Sequence, residues 1–488
     1  MPITGALTSL NNKDVVNMPD TPRWQEEAFA MNRFLVSNGI DYSQKTYYYT
    51  PLTMYPRSLT PAVQPENVLL PRDLSTYRAM VYVHIPFCTA RCTFCPFQLD
   101  VGRLVPERYV EALVRQVEML AAQVQMPSQF NIYFGGGSPN LLSISQLRQI
   151  ISAIRASFGG LVEEVSMELH PEAAKRVGYL EALPEVGVSR VSFGLQTTDA
   201  KVLHTTGRHH ANDALDKVVP LARELGLGVN IDVMYGGFLG ETPKADRSTF
   251  EHVLGLNPDW TTGYQVCIQE GTAEALRFAK EPSRYPDAKG MLSARALLHE
   301  LAGERGYHYL GGDYFSSRPS PALYQVRKWA ERTAVLSLGS GCYSYVVDGV
   351  SESKLWWAPF TLAGYFDFID QGQFPVARCV DGSREGVESW ATIARLKTGG
   401  AITEMPHHLV GQIEALIGLG LLEKKGGLRL TTSGVLIEDL IYASLIPEAV
   451  WREFSRKRRS LDYTKTDARY DWFFEPNTVL KFQAILRQ

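Results

Sequence analysis

The segment VYVHIPFCTARCTFCPFQLD, residues 81–100, brings Cys88, Cys92 and Cys95 together in a C-x3-C-x2-C spacing. It follows directly on Met80–His84, whose alternating pattern predicts a strand that runs into a loop. Three thiolates can bind three irons of a [4Fe-4S] cluster, which normally has four thiolate ligands. The fourth iron would then be open to a substrate or cofactor, and an open metal position is typical of chemistry rather than of structural support.

A structural zinc ion and a disulfide are the alternative uses of these cysteines. Zinc takes four ligands, usually from two C-x2-C or H-x3-H pairs, and no second pair lies nearby in the sequence. The remaining cysteines, Cys267, Cys342 and Cys379, are scattered singly, which is typical of a reducing cytoplasm. The spacing therefore favours the cluster over zinc or a disulfide.

Length and composition predict a large globular protein of two or three domains. The chain has 488 residues, of which 45% are hydrophobic and 21% charged, with a formal net charge of −3. A net charge this close to zero gives no overall electrostatic attraction for nucleic acid or an anionic membrane. The start, MPITGALTSLNNKD, has no basic and apolar signal segment, and no apolar run approaches the roughly 20 residues of a membrane span. We therefore expect a cytoplasmic protein that binds neither nucleic acid nor membrane.

Three regions are predicted along the chain. Residues 1–75 are polar and rich in proline and aromatic residues, with one helix at Pro22–Ser37, and we interpret them as an arm wrapped on the main domain. Residues 76–385 form that main domain. Residues 386–488 contain a helix at Ile413–Leu421, then a hairpin wing and a further helix, and end in an aromatic tail with RYDWFFEPN at 469–477.

The main domain alternates between strands and helices. The predicted strands are Met80–His84, Phe130–Phe134, Glu164–Glu168, Arg190–Gly194, Gly228–Val233 and Thr262–Cys267. The predicted helices between them are Pro106–Ala122, Ile144–Ser157, Ala173–Leu183, Ala211–Leu225 and Ala245–Val253. This order predicts an α/β fold with a parallel sheet and right-handed crossovers, in which functional residues lie at the carboxyl ends of the strands.

Polar residues follow those strand ends one after another. The cysteines follow the first strand, and the run Gly135–Pro139 (GGGSP) follows the second; its glycines allow close approach of a ligand, and its amides could bind a carboxylate. Glu168, Gln196 and Asp232 end the next three strands, and Arg208 follows the fourth. Each acid alone could equally be surface-facing or salt-bridged. Their succession at neighbouring strand ends instead predicts one shared site.

The motif YVHIPFC with C-x3-C-x2-C resembles the radical S-adenosylmethionine (SAM) superfamily, and more narrowly the family of oxygen-independent coproporphyrinogen oxidases. The resemblance runs over roughly residues 80–345 and more faintly to 440. It implies a partial (β/α)6 radical SAM barrel with an N-terminal arm and a C-terminal helical, winged-helix-like domain. It also implies that SAM chelates the open iron and is cleaved to a 5′-deoxyadenosyl radical.

The family's motifs that line its SAM sites have counterparts in this chain. They are a tyrosine before the cysteines, a GGGTP-like run, and a glutamate, glutamine, arginine and aspartate in sequence. The matching residues are Tyr82, Gly136, Gly137, Ser138, Glu168, Gln196, Arg208 and Asp232, with Met234 beside the last. The resemblance implies two SAM molecules, the second held by Phe94, Gly137, Ser138, Gln196, Arg208, Asp232 and Gln265. The run LSLGSGCYSYV, 336–346, is similar to the family's GxG loop, with Tyr345 as an apolar contact near the first SAM.

One departure bears on the branch of the family. The coproporphyrinogen oxidases carry a further cysteine two places after the third cluster cysteine, where this chain has Phe97. That form is similar to the shorter haem chaperones and to the class C radical SAM methyltransferases. The long arm and the full C-terminal domain favour the second group, so the sequence predicts a class C methyltransferase or cyclopropanase. Such an enzyme transfers a SAM-derived methylene or methyl group to an sp2 carbon of a small unsaturated substrate.

Other readings remain open beside the methyltransferase. They are a tetrapyrrole enzyme, either an oxidase or a haem-degrading methyltransferase, a haem chaperone, and a DNA-binding regulator, which the neutral charge disfavours. We further expect a monomer that receives electrons from a flavodoxin or ferredoxin.

Overall fold

The structure is a computed structural model. It describes residues 23–42, 70–102, 104–172, 176, 178–208, 210–211, 213–269, 271–319, 322–399, 402, 404–458 and 476–488. Most of the predicted N-terminal arm and most of the aromatic tail at 469–477 lie outside these ranges.

Sixteen strands occur within the described residues. They are β1 Arg78–Ile85, β2 Phe87–Cys88, β3 Asp100–Val101, β4 Gln129–Gly136, β5 Leu161–Leu169, β6 Arg190–Gln196, β7 Gly228–Tyr235, β8 Trp260–Gln265, β9 His308–Tyr309, β10 Tyr314–Ser316, β11 Thr333–Leu338, β12 Tyr343–Val347, β13 Ser353–Trp357, β14 Arg378–Asp381, β15 Leu422–Lys424 and β16 Leu428–Leu430.

The helices of the described chain are α1 Trp24–Ser37, α2 Glu107–Ala121, α3 Ile144–Phe158, α4 Tyr179–Ala182, α5 Ala200–Thr206, α6 Val218–Glu224, α7 Pro243–Gly255, α8 Ala273–Lys280, α9 Ala288–Glu304, α10 Leu323–Lys328, α11 Leu362–Asp370, α12 Arg384–Thr398, α13 Val410–Gly418, α14 Thr432–Leu436, α15 Glu438–Ser444, α16 Glu448–Arg458 and α17 Pro476–Ile485.

One twelve-stranded sheet dominates the described part of the chain, in the order β14-β13-β12-β11-β1-β4-β5-β6-β7-β8-β10-β9. The stretch from β11 to β8 is parallel throughout. The six predicted strands are its β1 and β4 to β8, in sequential order. The predicted α/β fold with a parallel sheet is therefore confirmed. In β1, Arg78 alone is exposed and the other residues are buried or half-buried on both faces, as is typical of a strand inside a parallel sheet.

A seventh parallel strand was not predicted. The run at 336–346, interpreted as a loop, is instead the end of β11, a turn and most of β12. The six residues of β11 are all buried, and β11 pairs in parallel with β1, so it extends the sheet beyond the predicted first strand. Gly339 and Gly341 form the turn at φ +108° and +76°, conformations that only glycine adopts without strain.

Two predicted helices are shorter than expected. The prediction Ala173–Leu183 corresponds to α4, which begins only after Gly178 because that residue has a left-handed φ of +72°. The prediction Ala211–Leu225 corresponds to α6, and turns occupy residues 213–217 before it. An additional helix, α5, lies between β6 and this region, where its N-cap Asp199 accepts hydrogen bonds from the amides of Lys201 and Val202.

The terminal regions pack onto the main domain. In α1, the Trp24 ring lies 4.4 Å from the His299 ring of α9, centroid to centroid, and Gln25 donates to the Ser293 carbonyl at 3.1 Å. In the C-terminal region, β15 and β16 form the predicted hairpin wing, followed by α14 and α15. Helix α12 runs across the predicted boundary at 385/386, and the domain bounds remain a prediction. Among the described helices, none combines the length and the apolar character that crossing a bilayer requires.

Candidate active site

A cavity of about 550 Å³ opens where the parallel strands end. Its walls include every residue that the sequence predicted for the site, although these residues come from eight strands and the loops that follow them. They are Tyr82, Cys88, Cys92, Phe94, Cys95, Gly136, Gly137, Ser138, Glu168, Gln196, Arg208, Asp232, Met234, Gln265 and Tyr345. Their shared location is observed, whereas the role of each stays a prediction.

The cysteine loop starts at β2 and lies against the glycine run. The Cys88 sulfur is 3.2 Å from the Ser138 hydroxyl, and the Cys95 amide donates to the Cys92 carbonyl at 3.1 Å. Burial, together with the nearby Cys92 thiol, raises the pKa of Cys95 to about 12. Burial also raises the pKa of Cys92, against the opposing charge of Arg208, whose Nη1 lies 3.6 Å from the sulfur.

A thiol whose pKa is raised by burial becomes a thiolate more readily when a cation binds it. Within the described residues, no three His, Cys, Asp or Glu side chains converge on a single ion position. The thiolates of an iron–sulfur cluster bind separate irons and need not converge on one point.

The amides of the glycine run are bound within the protein, which differs from the expectation that they are exposed to the carboxylate of a ligand. The amides of Gly137 and Ser138 donate to the carbonyls of Ile85 and Phe87, each at 2.8 Å, and are not available to a carboxylate. A Cβ on Gly137 would lie 2.5 Å from the Phe87 oxygen, and Gly136 has φ +114°. Glycine is required here because β4 and the cysteine strand approach so closely.

Glu168 lines the cavity beside the glycine run. Its Oε1 accepts from the Tyr133 hydroxyl at 2.9 Å, and its Oε2 accepts from the Gly136 amide at 3.1 Å. Burial, together with the charge of Asp232, raises the pKa of Glu168 to about 7. The carboxyl is therefore about half ionised near neutral pH and can gain or lose a proton when a ligand arrives.

Asp232 is held by hydrogen bonds to both of its oxygens. The Ser192 hydroxyl donates to Oδ2 at 2.9 Å, and the Asn230 amide donates to Oδ1 at 2.8 Å. Burial raises its pKa. Neither Glu168 nor Asp232 faces the outer surface, so the surface-facing alternative does not apply to either. Both instead present oriented oxygens to the cavity.

Gln196 and Arg208 carry buried polar atoms without a hydrogen-bond partner. Gln196 has φ +71°, an uncommon conformation for a residue other than glycine, at an irregularity in the pairing of β6 with β7. Its Oε1 and the Nε of Arg208 are buried and unpaired. Leaving a buried polar atom without a hydrogen bond costs free energy unless a bound ligand supplies the missing partner. The three cysteines and these unpaired atoms therefore fit an iron–sulfur cluster with an adjacent polar cofactor.

Several cavity residues were missed by the sequence analysis. Tyr133 and His84 lie on strands whose neighbouring residues were predicted, and the alternation of Tyr82 and His84 on β1 is a signal that could have found His84. The Tyr82 hydroxyl is 3.1 Å from His84 Nδ1, and burial lowers the pKa of His84 to about 4, so its ring is neutral at pH 7.

Lys328 lies on α10, and burial, with a further contribution from Lys397, lowers its pKa to about 7. No sequence pattern pointed to Lys328, because it lies far along the chain from β1, against which α10 packs, and from the cysteine motif.

Comparison with known proteins shows which family the main domain resembles. Residues 82–253 match the family model of the radical SAM superfamily. The chain thus has the radical SAM α/β fold that the sequence predicted, and this fold implies a [4Fe-4S] cluster and SAM.

Relatives with similar sequences are named as haem chaperones and as coproporphyrinogen III oxidases. The heme chaperone HemW of Mycobacterium tuberculosis is 25% identical over 375 residues, covering 75% of this chain and 94% of that protein. The oxygen-independent coproporphyrinogen III oxidase of Synechocystis is 28% identical, covering 67% and 73%. The structure of coproporphyrinogen III oxidase (HemN) from Escherichia coli shares the fold, with a TM-score of 0.62 at 21% identity over 76% of this chain and 90% of that one.

These relatives overturn the prediction of a class C methyltransferase or cyclopropanase. The sequence relatives reported above are a haem chaperone and a coproporphyrinogen III oxidase, and neither is a methyltransferase. The prediction was wrong because it rested on Phe97, on the N-terminal arm and on the full C-terminal domain. The form with Phe97 is common to the haem chaperones and the methyltransferases and does not distinguish between them, and the presence of terminal regions says little about which reaction a site performs.

Proposed function

We propose that this chain is a radical SAM enzyme that binds one [4Fe-4S] cluster and two SAM molecules and acts on a tetrapyrrole of the porphyrinogen type. The observation that carries the proposal is the single cavity where three cysteine thiols lie with two oriented acids and the unpaired atoms of Gln196 and Arg208. The substrate class comes from the names of the relatives.

Cys88, Cys92 and Cys95 would hold the cluster, which when bound would supply the electron for reductive cleavage of SAM. Glu168, kept in place by Tyr133 and the Gly136 amide, would accept a hydrogen bond from an ammonium or hydroxyl group of the first SAM. Asp232, oriented by Ser192 and Asn230, would bind ribose hydroxyls of the second. The guanidinium of Arg208 would pair with a carboxylate. We also propose that the chain is a monomer served by a flavodoxin or ferredoxin.

A second candidate, a haem chaperone, is favoured by Phe97. This residue lines the cavity with its ring centroid 6.3 Å from that of His84, where the coproporphyrinogen oxidases carry a cysteine. The alignment that covers 94% of a heme chaperone supports the same candidate.

One anaerobic experiment tests both candidates. The reconstituted protein is mixed with dithionite and SAM, with coproporphyrinogen III or haem added, and 5′-deoxyadenosine and porphyrin products are measured by mass spectrometry. Formation of 5′-deoxyadenosine coupled to conversion of the porphyrinogen supports the enzyme. Stable haem binding with a Soret band and no conversion supports the chaperone. The Cys92→Ala variant is the control, and SAM cleavage by this variant equal to that of the unaltered protein would refute the cluster assignment.

A further inference from the structure

A buried glutamate outside the cavity contacts the middle of the cysteine loop. Glu274 lies in the first turn of α8, and its side chain is fully buried. Its Oε2 accepts from the hydroxyl of Thr93 at 2.5 Å, and its Oε1 accepts from the hydroxyl of Tyr285 at 2.8 Å. Thr93 directly follows Cys92 and lies two residues before Cys95.

All three polar groups of Thr93 are bound. Its amide donates to the Thr206 carbonyl at 3.0 Å, its carbonyl accepts from the Glu274 amide at 3.0 Å, and its hydroxyl reaches the Glu274 carboxylate. The loop between two cluster cysteines is therefore attached on one side to the end of α5 and on the other to the start of α8.

The side chain of Arg277 also takes part in this attachment. Arg277 Nη1 lies 3.5 Å from Glu274 Oε2 and donates to the Thr205 carbonyl at 2.5 Å. Because Arg277 bridges α8 to the end of α5, it joins the two elements that Thr93 also joins. A fully buried carboxylate is costly unless it is paired and hydrogen-bonded, and this one has its bonds to the cysteine loop, to Tyr285 and to Arg277.

We propose that Glu274 is a positioning residue for the cluster, acting through Thr93 to fix the loop on which Cys92 and Cys95 present their sulfurs. The inference rests on the proposed radical SAM function and extends it to a residue that touches neither cluster nor cofactor. A ligand loop held by hydrogen bonds to its surroundings keeps its metal longer than one that must reorder at each exchange.

The test compares four variants of the full chain after anaerobic reconstitution. Thr93→Val removes the hydroxyl at nearly constant volume, and Glu274→Gln removes the charge. Thr93→Ser retains the hydroxyl. The control, Glu281→Gln, changes an exposed glutamate that pairs with Arg284 and lies just after the end of α8. The readout is the rate at which a chelator removes iron, with the midpoint potential of the cluster as a second measurement.

We expect Thr93→Val and Glu274→Gln each to lose iron about tenfold faster, as the loss of one hydrogen bond to a charged group implies. Thr93→Ser and Glu281→Gln should keep the rate of the unaltered protein. A further variant that combines Thr93→Val with Glu274→Gln should lose iron no faster than the more affected of these two single variants, because both changes break the same contact. Iron loss from Thr93→Val at the unaltered rate would overturn the inference.

Failure of the proposed function has a different signature. If the unaltered protein takes up no iron, the radical SAM assignment fails. Hydrogen exchange of the metal-free protein then still tests the contact, because exchange of the 92–95 amides should be faster in Thr93→Val than in Thr93→Ser. Equal exchange in the two variants would overturn the role of Glu274.

Discussion

Glu168 illustrates how the surroundings of a single residue set its chemistry. A glutamate at the end of a strand is an ordinary feature of a sequence, yet here burial and Asp232 raise its pKa to about 7. A raised carboxyl pKa means that the folded state favours the protonated form. The stabilisation from this group is present at low pH and is lost as the pH rises through about 7.

Replacing Glu168 by glutamine should remove this pH dependence. In the metal-free protein, the free energy of unfolding of Glu168→Gln relative to the unaltered chain should rise between pH 5 and pH 8 by up to about 3 kcal/mol. Urea unfolding at the two pH values measures the difference. The control is Glu251→Gln, an exposed residue paired with Arg247, which should show no such trend. A constant difference between Glu168→Gln and the unaltered chain would contradict the raised pKa.

The same proton should govern ligand binding. Because an ionised Glu168 accepts hydrogen bonds and a protonated one donates one instead, SAM should bind more tightly at pH 8 than at pH 6. Titration calorimetry at both pH values checks this for the reconstituted protein. In Glu168→Gln the affinity should be weaker by about tenfold and should vary less with pH. An unaltered pH profile in the variant would assign the titration to another group.

At the scale of elements, the loop after β4 depends on the absence of a side chain. Gly137 lies so close to the Phe87 carbonyl that an added Cβ would be 2.5 Å from its oxygen. The backbone of one of the two strands must shift to accept any larger residue. The glycine run thus allows the strand that leads into the cysteine loop to lie close to the end of β4.

Gly137→Ala should therefore lower the free energy of unfolding by about 1–3 kcal/mol through overpacking. It should also weaken retention of iron, because the cysteine strand is displaced. Gly303→Ala is the matched control, since a Cβ there meets no atom within 4 Å and the residue lies inside α9. That substitution should raise stability by about 0.5–1 kcal/mol. Denaturant unfolding of both variants measures the two changes in the free energy of unfolding. Equal changes would show that the backbone around Gly137 adjusts to the added Cβ without loss of stability.

At the scale of the whole molecule, a buried ion network joins distant segments. Arg295 of α9 donates to Asp313 at 3.0 Å, to Glu438 of α15, and to the Leu436 carbonyl at 3.3 Å. Burial alone would raise the pKa of Asp313, but Arg295 and His299 hold it at about 2. The network ties the C-terminal helices to the sheet domain.

Arg295→Met should destabilise the protein by about 3–5 kcal/mol, because buried carboxylates lose their cation. Arg318→Met provides the comparison, since Arg318 pairs with Asp259 but is 69% exposed, and its loss should cost about 0–1 kcal/mol. Thermal or denaturant unfolding measures both. A small effect at Arg295 would mean that solvent reaches the network and replaces the lost charge.

Patterns between near neighbours were sufficient to predict much of this protein. The cysteine spacing, the alternation of strands and helices and the polar strand ends predicted the fold and the residues around the cavity. They succeed because periodicity reports burial, and because parallel strands bring their carboxyl ends to one edge.

Contacts between distant segments could not be predicted in this way. The pairing of β11 with β1, the close approach of Gly137 to Phe87 and the bond from Thr93 to Glu274, 181 residues away, join parts of the chain that share no local pattern. The same limit applies to Lys328 and to the network of Arg295. Each depends on which surfaces meet once the chain has packed, and packing is a property of the whole core rather than of any short segment.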